Sequence, residues 1–199
     1  MARRSAHTPE ELRQRILEAA QSIIERDGLV GLSAREIARL IGYSPGTLYN
    51  IFENLDDVLL TLQTQMLASL VDGMKAVPQN GTPQQSLDDL ARAYVDFAID
   101  NKRMWNLLFT HDLPSKMATP AALTENVNMI GMIVAMPIAA MMPKASKQEI
   151  DVAARALWAG VHGVTAVAVT EKGPTLNPAS AHTFVNQLVS TYTRGLISK

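Results

Sequence analysis

The stretch LSAREIARLIGYSPGTLYNIF, Leu32 to Phe52, sets two glycines and a proline among residues that otherwise favour helix. Ser33 and Glu36 have the spacing of a capping box, in which the hydroxyl takes the third-position N–H and the carboxylate reaches back. A short helix is predicted from there to about Ile41. Gly42 supplies a left-handed exit that other residues reach only at a cost. Ser44 can cap a second helix, with Pro45 at its first position, where no N–H is missed. Ile37, Ala38, Ile41, Tyr43, Leu48 and Ile51 make the apolar set, with Leu48 and Ile51 facing inward, and the small Ala38 lets two helices cross closely. Arg35, Arg39, Ser44, Pro45, Thr47, Tyr49 and Asn50 remain for the outside. Helix, tight turn, helix is the helix-turn-helix pattern, whose second helix enters the DNA major groove. An ordinary helical hairpin shares the spacing.

Around this motif the chain of 199 residues is 47% hydrophobic, enough for a substantial core, but only 5% aromatic. Ten methionines serve as adaptable filler. The absence of cysteine excludes disulfides, zinc–thiolate sites and thiol catalysis. The lack of cysteine suits a cytoplasmic protein, and no signal peptide is evident. Asn126 to Pro143 is weakly charged but broken by Gly131 and Pro137, and reads as a buried helix rather than a membrane span. Net charge is −1, low for a DNA-binding chain, yet its distribution is uneven. Arg3, Arg4, Arg13, Arg15, Arg35 and Arg39 precede the first lysine, Lys75, and arginine can grip phosphate or guanine with two hydrogen bonds.

No strand pattern persists; the fold expected is all-α, with about nine helices. A cap residue with proline behind it recurs at Thr8, Ser44, Thr82 and Asn177, and Asn54 with Asp57 and Ser146 with Glu149 add two further caps. The expected division is a three-helix DNA-binding domain at 1–54, with the motif at about 33–52, and a ligand-binding and dimerisation bundle at 55–199.

From the first helix through DGLVGLSAREIARLIGYSPGTLYNIFENLDDVLL the sequence resembles the TetR family of bacterial transcriptional regulators. The glycine before the first motif helix, the IA pair, the turn glycine, GTLY and Phe52 carry the match. Ala156 to Val167, ALWAGVHGVTAV, resembles a tryptophan–histidine–glycine signature in one group of that family's C-terminal domains. The resemblance implies a homodimer that reads a palindromic double-stranded DNA operator and is released, as most such repressors are, by a small molecule. One position departs from the pattern: where the family usually carries a phosphate-binding lysine at the start of the fourth helix, this chain has Leu55, beside Glu53, Asp56 and Asp57.

These readings nominate three sets of residues. Arg3, Arg4, Arg35, Ser44, Pro45, Gly46, Thr47, Tyr49 and Asn50 are expected to meet DNA. Phe97, Trp105, Leu108, Met129, Met132 and Ile133 are expected to line an apolar cavity, with His162 as polar anchor; the competing reading is solid core, with His162 packing against Trp158. Ala156, Phe184, Leu188 and Tyr192 are expected at a dimer interface. No cofactor is implied, and the histidines lack metal-site spacing. Nucleophile, carboxylate-pair and phosphate-loop motifs are missing, so no catalysis is expected. The alternative function is a helical adaptor or sensor that no longer binds DNA, for which Leu55 and its acidic neighbours are the support.

Overall fold

The structure, a computed structural model, describes residues 7–110, 118–170 and 176–197, with backbone alone at 107–110. Arg3 and Arg4 lie outside the described residues. The described residues form nine α-helices and no strand: α1 Pro9–Asp27, α2 Ala34–Ile41, α3 Pro45–Leu48, α4 Leu55–Lys75, α5 Pro83–Asp100, α6 Lys102–Thr110, α7 Ala121–Met141, α8 Lys147–Thr170 and α9 Pro178–Ile197, with one 3₁₀ turn at Leu29–Gly31.

The caps account for most helix starts. Thr8 Oγ1 accepts from Glu11 N at 3.2 Å while the Glu11 carboxylate accepts from Thr8 N at 2.8 Å. Thr82 and Gln85 repeat this at α5, and Ser146 and Glu149 at α8. Ser33 makes only half of its expected box. Its hydroxyl accepts from Glu36 N at 3.1 Å, but the Glu36 carboxylate turns to Arg39 instead. A guanidinium offers two charge-assisted bonds against one from a neutral amide, so the ion pair wins. Ser44 also departs from expectation: it makes no side-chain cap, and its Oγ lies 3.1 Å from Thr47 Oγ1.

Packing divides the chain into two units, 1–66 with 103–118 and 67–102 with 119–199. The first unit, hereafter the head, holds α1, α2, α3, the first half of α4, and α6 from Arg103. Its interior is built from Ile16, Ile23, Ile24, Ile37, Leu48, Phe52 and Trp105, all essentially without solvent exposure. Gly42, at φ 77° and ψ 30°, lets Tyr43 N reach back to Ala38 O at 3.0 Å and ends α2. After four residues α3 tightens into turns, with Ile51 N and Phe52 N both bonding Leu48 O.

The second unit, the bundle, is α5, α7, α8, α9 and the rest of α4. α7 and α8 are long and apolar enough to cross a membrane by length and composition alone, yet both contribute to this bundle's interior. Ile130, Val134 and Ile138 of α7, and Ala154, Leu157, Val161 and Val169 of α8, are buried there. Buried hydroxyls are satisfied: Thr165 donates to Val161 O at 2.8 Å within α8, and Thr193 of α9 donates to Gln84 Oε1 of α5 at 2.6 Å.

Candidate functional site

In the head, α2 is the platform and α3 the projecting element. Ala34, Ile37, Ala38 and Ile41 seat α2, and Leu48 is the buried residue of α3. Ser44, Pro45, Gly46, Tyr49 and Asn50 are exposed, with Thr47 half-buried beside Ser44. Their hydroxyl pair, two methyl or ring surfaces (Thr47 and Pro45), a phenol and an amide are the groups that base edges and phosphates accept. Arg35, on the outer side of α2, is exposed as well.

Arg39, Arg26 and Arg13 are committed to structure. Arg39 forks onto Glu36, with Nε to Oε2 at 2.9 Å and Nη2 to Oε1 at 2.7 Å. Arg26 reaches the same carboxylate at 3.4 Å and Asp27 at 2.6 Å. The Arg39 hydrogen bond, reinforced by Arg26, holds Glu36 at a pKa of about 2. Arg13 lies over the Phe52 ring, 4.3 Å from its centroid, and donates to Thr61 Oγ1 at 3.2 Å. At the start of α4, Leu55 is half-buried, Asp57 N bonds Asn54 Oδ1 at 2.9 Å, and the Asp57 carboxylate accepts from Glu53 N at 3.1 Å. Asn54 is thus the helix cap, and Asp57 in the first turn complements the helix dipole.

The bundle has a narrow interior cavity of about 20 Å³, room for about one water. Its wall is apolar (Leu87, Leu90, Ala91, Val134, Leu157 and Val161 among others) apart from Tyr94 and Trp158. Tyr94 Oη lies 3.0 Å from His162 Nδ1, and the Trp158 and His162 rings stand 6.1 Å apart. Burial pushes the Tyr94 hydroxyl up in pKa and pulls the half-buried His162 down, so both favour their neutral forms.

The expected cavity residues are not those of this wall. Met132 is 54% exposed and Met136 66% exposed, on the outer face of α7. α7 is apolar nearly all round, and the bundle takes the Ile130–Val134–Ile138 face instead. Phe97, Met129 and Ile133 are half-buried and lie off the cavity. Trp105 is 1% exposed but belongs to the head, and the Leu108 side chain lies outside the described residues. Of the expected set His162 alone is at the cavity's edge, through Tyr94. Tyr94 was missed because its partner is 68 residues away.

Residues 16–62 match the model for bacterial regulatory proteins of the tetR family, and residues 87–192, more than half of the chain, match that for the tetracyclin repressor-like C-terminal domain. The chain belongs to the TetR family. It is 31% identical over 99 residues to the HTH-type transcriptional regulator YobS of Bacillus subtilis, covering 49% of this chain and 52% of YobS. It spans about half the length of the curated relatives it matches. Its fold is similar to that of a Rhodococcus sp. RHA1 protein of unknown function, with a TM-score of 0.71, 22% identity, and 97% of this chain and 98% of that one covered. A second Rhodococcus RHA1 structure, a bacterial regulatory protein in the tetR family, gives a TM-score of 0.66 at 17% identity, covering 92% of this chain and 96% of that one.

In this TetR-family chain, α8 and α9 present an uncovered apolar face. Val152, Ala156 and Val167 of α8 and Phe184 of α9 are exposed, Phe184 at 44%. Two of the expected interface residues work within the chain. Leu188 packs against Gly160, where an added Cβ would lie 3.0 Å from a Leu188 methyl, and Tyr192 donates to Ala153 O at 3.0 Å. Ala153 and Val189, on the same two helices, are buried. Among the described residues no group of acids and histidines could hold a metal ion.

Proposed function

We propose that this chain is a DNA-binding transcriptional regulator, a homodimeric repressor that reads a palindromic operator and is released by a small apolar molecule. It acts in the cytoplasm, where the chromosome is. The observation that carries the reading is the surface Ser44–Asn50: polar and methyl groups held outward on an element anchored by Leu48, on a platform fixed by α2. Thr47 and Pro45 face base edges, Tyr49 and Arg35 face phosphate, and Arg3 and Arg4, ahead of the Thr8 cap, reach along the duplex.

The effector reading is supported by the apolar cavity with its Tyr94–His162 pair. At about 20 Å³ the cavity must open to admit a ligand, so binding selects a wider bundle. A tenfold release from DNA needs about 1.4 kcal/mol of preference for the non-binding state. The uncovered face of α8 and α9, with Ala156 and Phe184 outward and Leu188 and Tyr192 beside them, supports pairing of two copies about a two-fold axis.

Selection of duplexes from a random pool by the full chain tests the reading. The wild type should enrich a two-fold symmetric sequence, and Thr47→Ala should alter the preference at one base position by about 1–3 kcal/mol. A pool that stays random would favour the adaptor function. Phe184→Glu should convert dimers to monomers in sedimentation; a variant that stays dimeric places the interface elsewhere.

A further inference from the structure

Three side chains from separate parts of the head meet beside the reading element. His7 lies just ahead of α1, Arg15 on its second turn, and Tyr43 in the turn between α2 and α3. Arg15 Nη1 is 2.8 Å from His7 Nε2, and His7 Nδ1 is 2.7 Å from Tyr43 Oη. A guanidinium has hydrogens to give and no lone pair to offer. His7 Nε2 must therefore accept, which leaves a neutral ring with its proton on Nδ1. That N–H can only donate, so Tyr43 Oη accepts, and the phenol's own hydrogen is directed elsewhere. Arg15 is exposed, and no described carboxylate lies within ion-pair distance of it. It thus differs from Arg26 and Arg39, whose charges are offset by Asp27 and Glu36.

We propose that Arg15, His7 and Tyr43 form a clamp for a DNA backbone phosphate, in which Arg15 and Tyr43 touch the anion and His7 is the positioning residue that aims both. The placement suits the backbone rather than the bases. Tyr43 is two residues from Pro45, so their Cα atoms are at most about 7–8 Å apart. A phosphate bordering the groove that receives Pro45 and Thr47 is within reach of the phenol. The chemistry suits an oxyanion: an uncompensated fork of N–H donors stands next to an O–H whose direction is set by its neighbour. The clamp also gives this chain a cationic backbone contact at a point other than Leu55. The proposal rests on the DNA-binding reading.

The test uses the full chain and the duplex enriched by the wild type, with log affinity followed against log salt. Arg15→Gln should flatten the slope by about 0.9 per protomer, alike on the selected and an unrelated duplex. Arg15→Lys should restore the slope but not the full affinity, because a point charge replaces the fork. Tyr43→Phe should keep the slope and weaken every duplex about tenfold. Nitrogen-15 spectra should show His7 as the Nδ1–H tautomer in the wild type and lose that preference in Arg15→Gln. A wild type that binds with the same slope as Arg15→Gln overturns the clamp and leaves the DNA reading standing. A wild type that binds no duplex overturns both. Should Arg15→Gln melt early, Tyr43→Phe decides: wild-type affinity there overturns the clamp.

Discussion

In α3 the buried residue is Leu48 and the polar groups face water; in α8 the half-buried Trp158 and His162 turn toward Tyr94 in the interior. The head therefore organises its charges at the surface, through Arg26, Asp27, Glu36 and Arg39, where water and salt screen them. The bundle holds neutral polar groups in apolar surroundings, where desolvation dominates and salt matters little. A surface built for an anionic polymer needs groups that water already reaches. A cavity for a small apolar molecule needs walls that water leaves readily. The proposed function asks for both, and the two regions differ in the direction in which their polar residues point.

The largest expected effect tests whether the head's interior is as unforgiving as the bundle's. Phe52 is 2% exposed and carries the Arg13 guanidinium on its face. Phe52→Ala should cost about 3–5 kcal/mol in urea unfolding and abolish DNA binding. In the bundle, Ala91 is 6% exposed on the cavity wall. Ala91→Phe should cost about 1–3 kcal/mol by overpacking, seen in thermal melting, while the head's affinity for DNA stays close to wild type.

Acid separates the two regions next. His162 is held below its ordinary pKa of 6.5 by burial, so protonation favours the unfolded bundle, and stability there declines as pH falls below 6.5. Glu36 is held at about 2 against an ordinary 4.5, so its contribution is complete above 4.5 and is lost between 4.5 and 2. The bundle should weaken first. The chain's two tryptophans report the regions separately, Trp158 in the bundle and Trp105 in the head. Single-tryptophan variants followed by fluorescence should show two acid transitions, and His162→Gln should remove the earlier one. Coincident transitions would erase the distinction. The smallest effect is expected at Met132: with 54% of it in water, Met132→Trp should change stability by no more than about 0.5 kcal/mol.

That last position shows where the sequence was and was not legible. Caps at Thr8, Thr82 and Ser146 are read within four residues and occur as expected. The motif's glycine, proline and buried leucine are equally local. α7 carries Met129, Met132 and Met136 at one helical spacing and Ile130, Val134 and Ile138 at another, and periodicity cannot say which stripe a neighbour will cover. Contacts between distant positions are also invisible: Arg26 with Glu36, His7 with Tyr43, and Tyr94 with His162 depend on separate segments meeting in space. Spacing pairs the Glu36 carboxylate with the Ser33 N–H because it shows the near donor and not the competing arginines.

The sparing use of anchors in α3 has a consequence for ancestry. Gly42, Pro45 and Leu48 hold the element in place, and Phe52 closes it; Ser44, Gly46, Thr47, Tyr49 and Asn50 bear little of the folding load. Substitutions at exposed positions of this kind usually move stability by less than about 0.5 kcal/mol. Descendants of such a gene can exchange those side chains one at a time and remain folded at every step. The repertoire of recognised sequences can drift quickly while the scaffold stays the same.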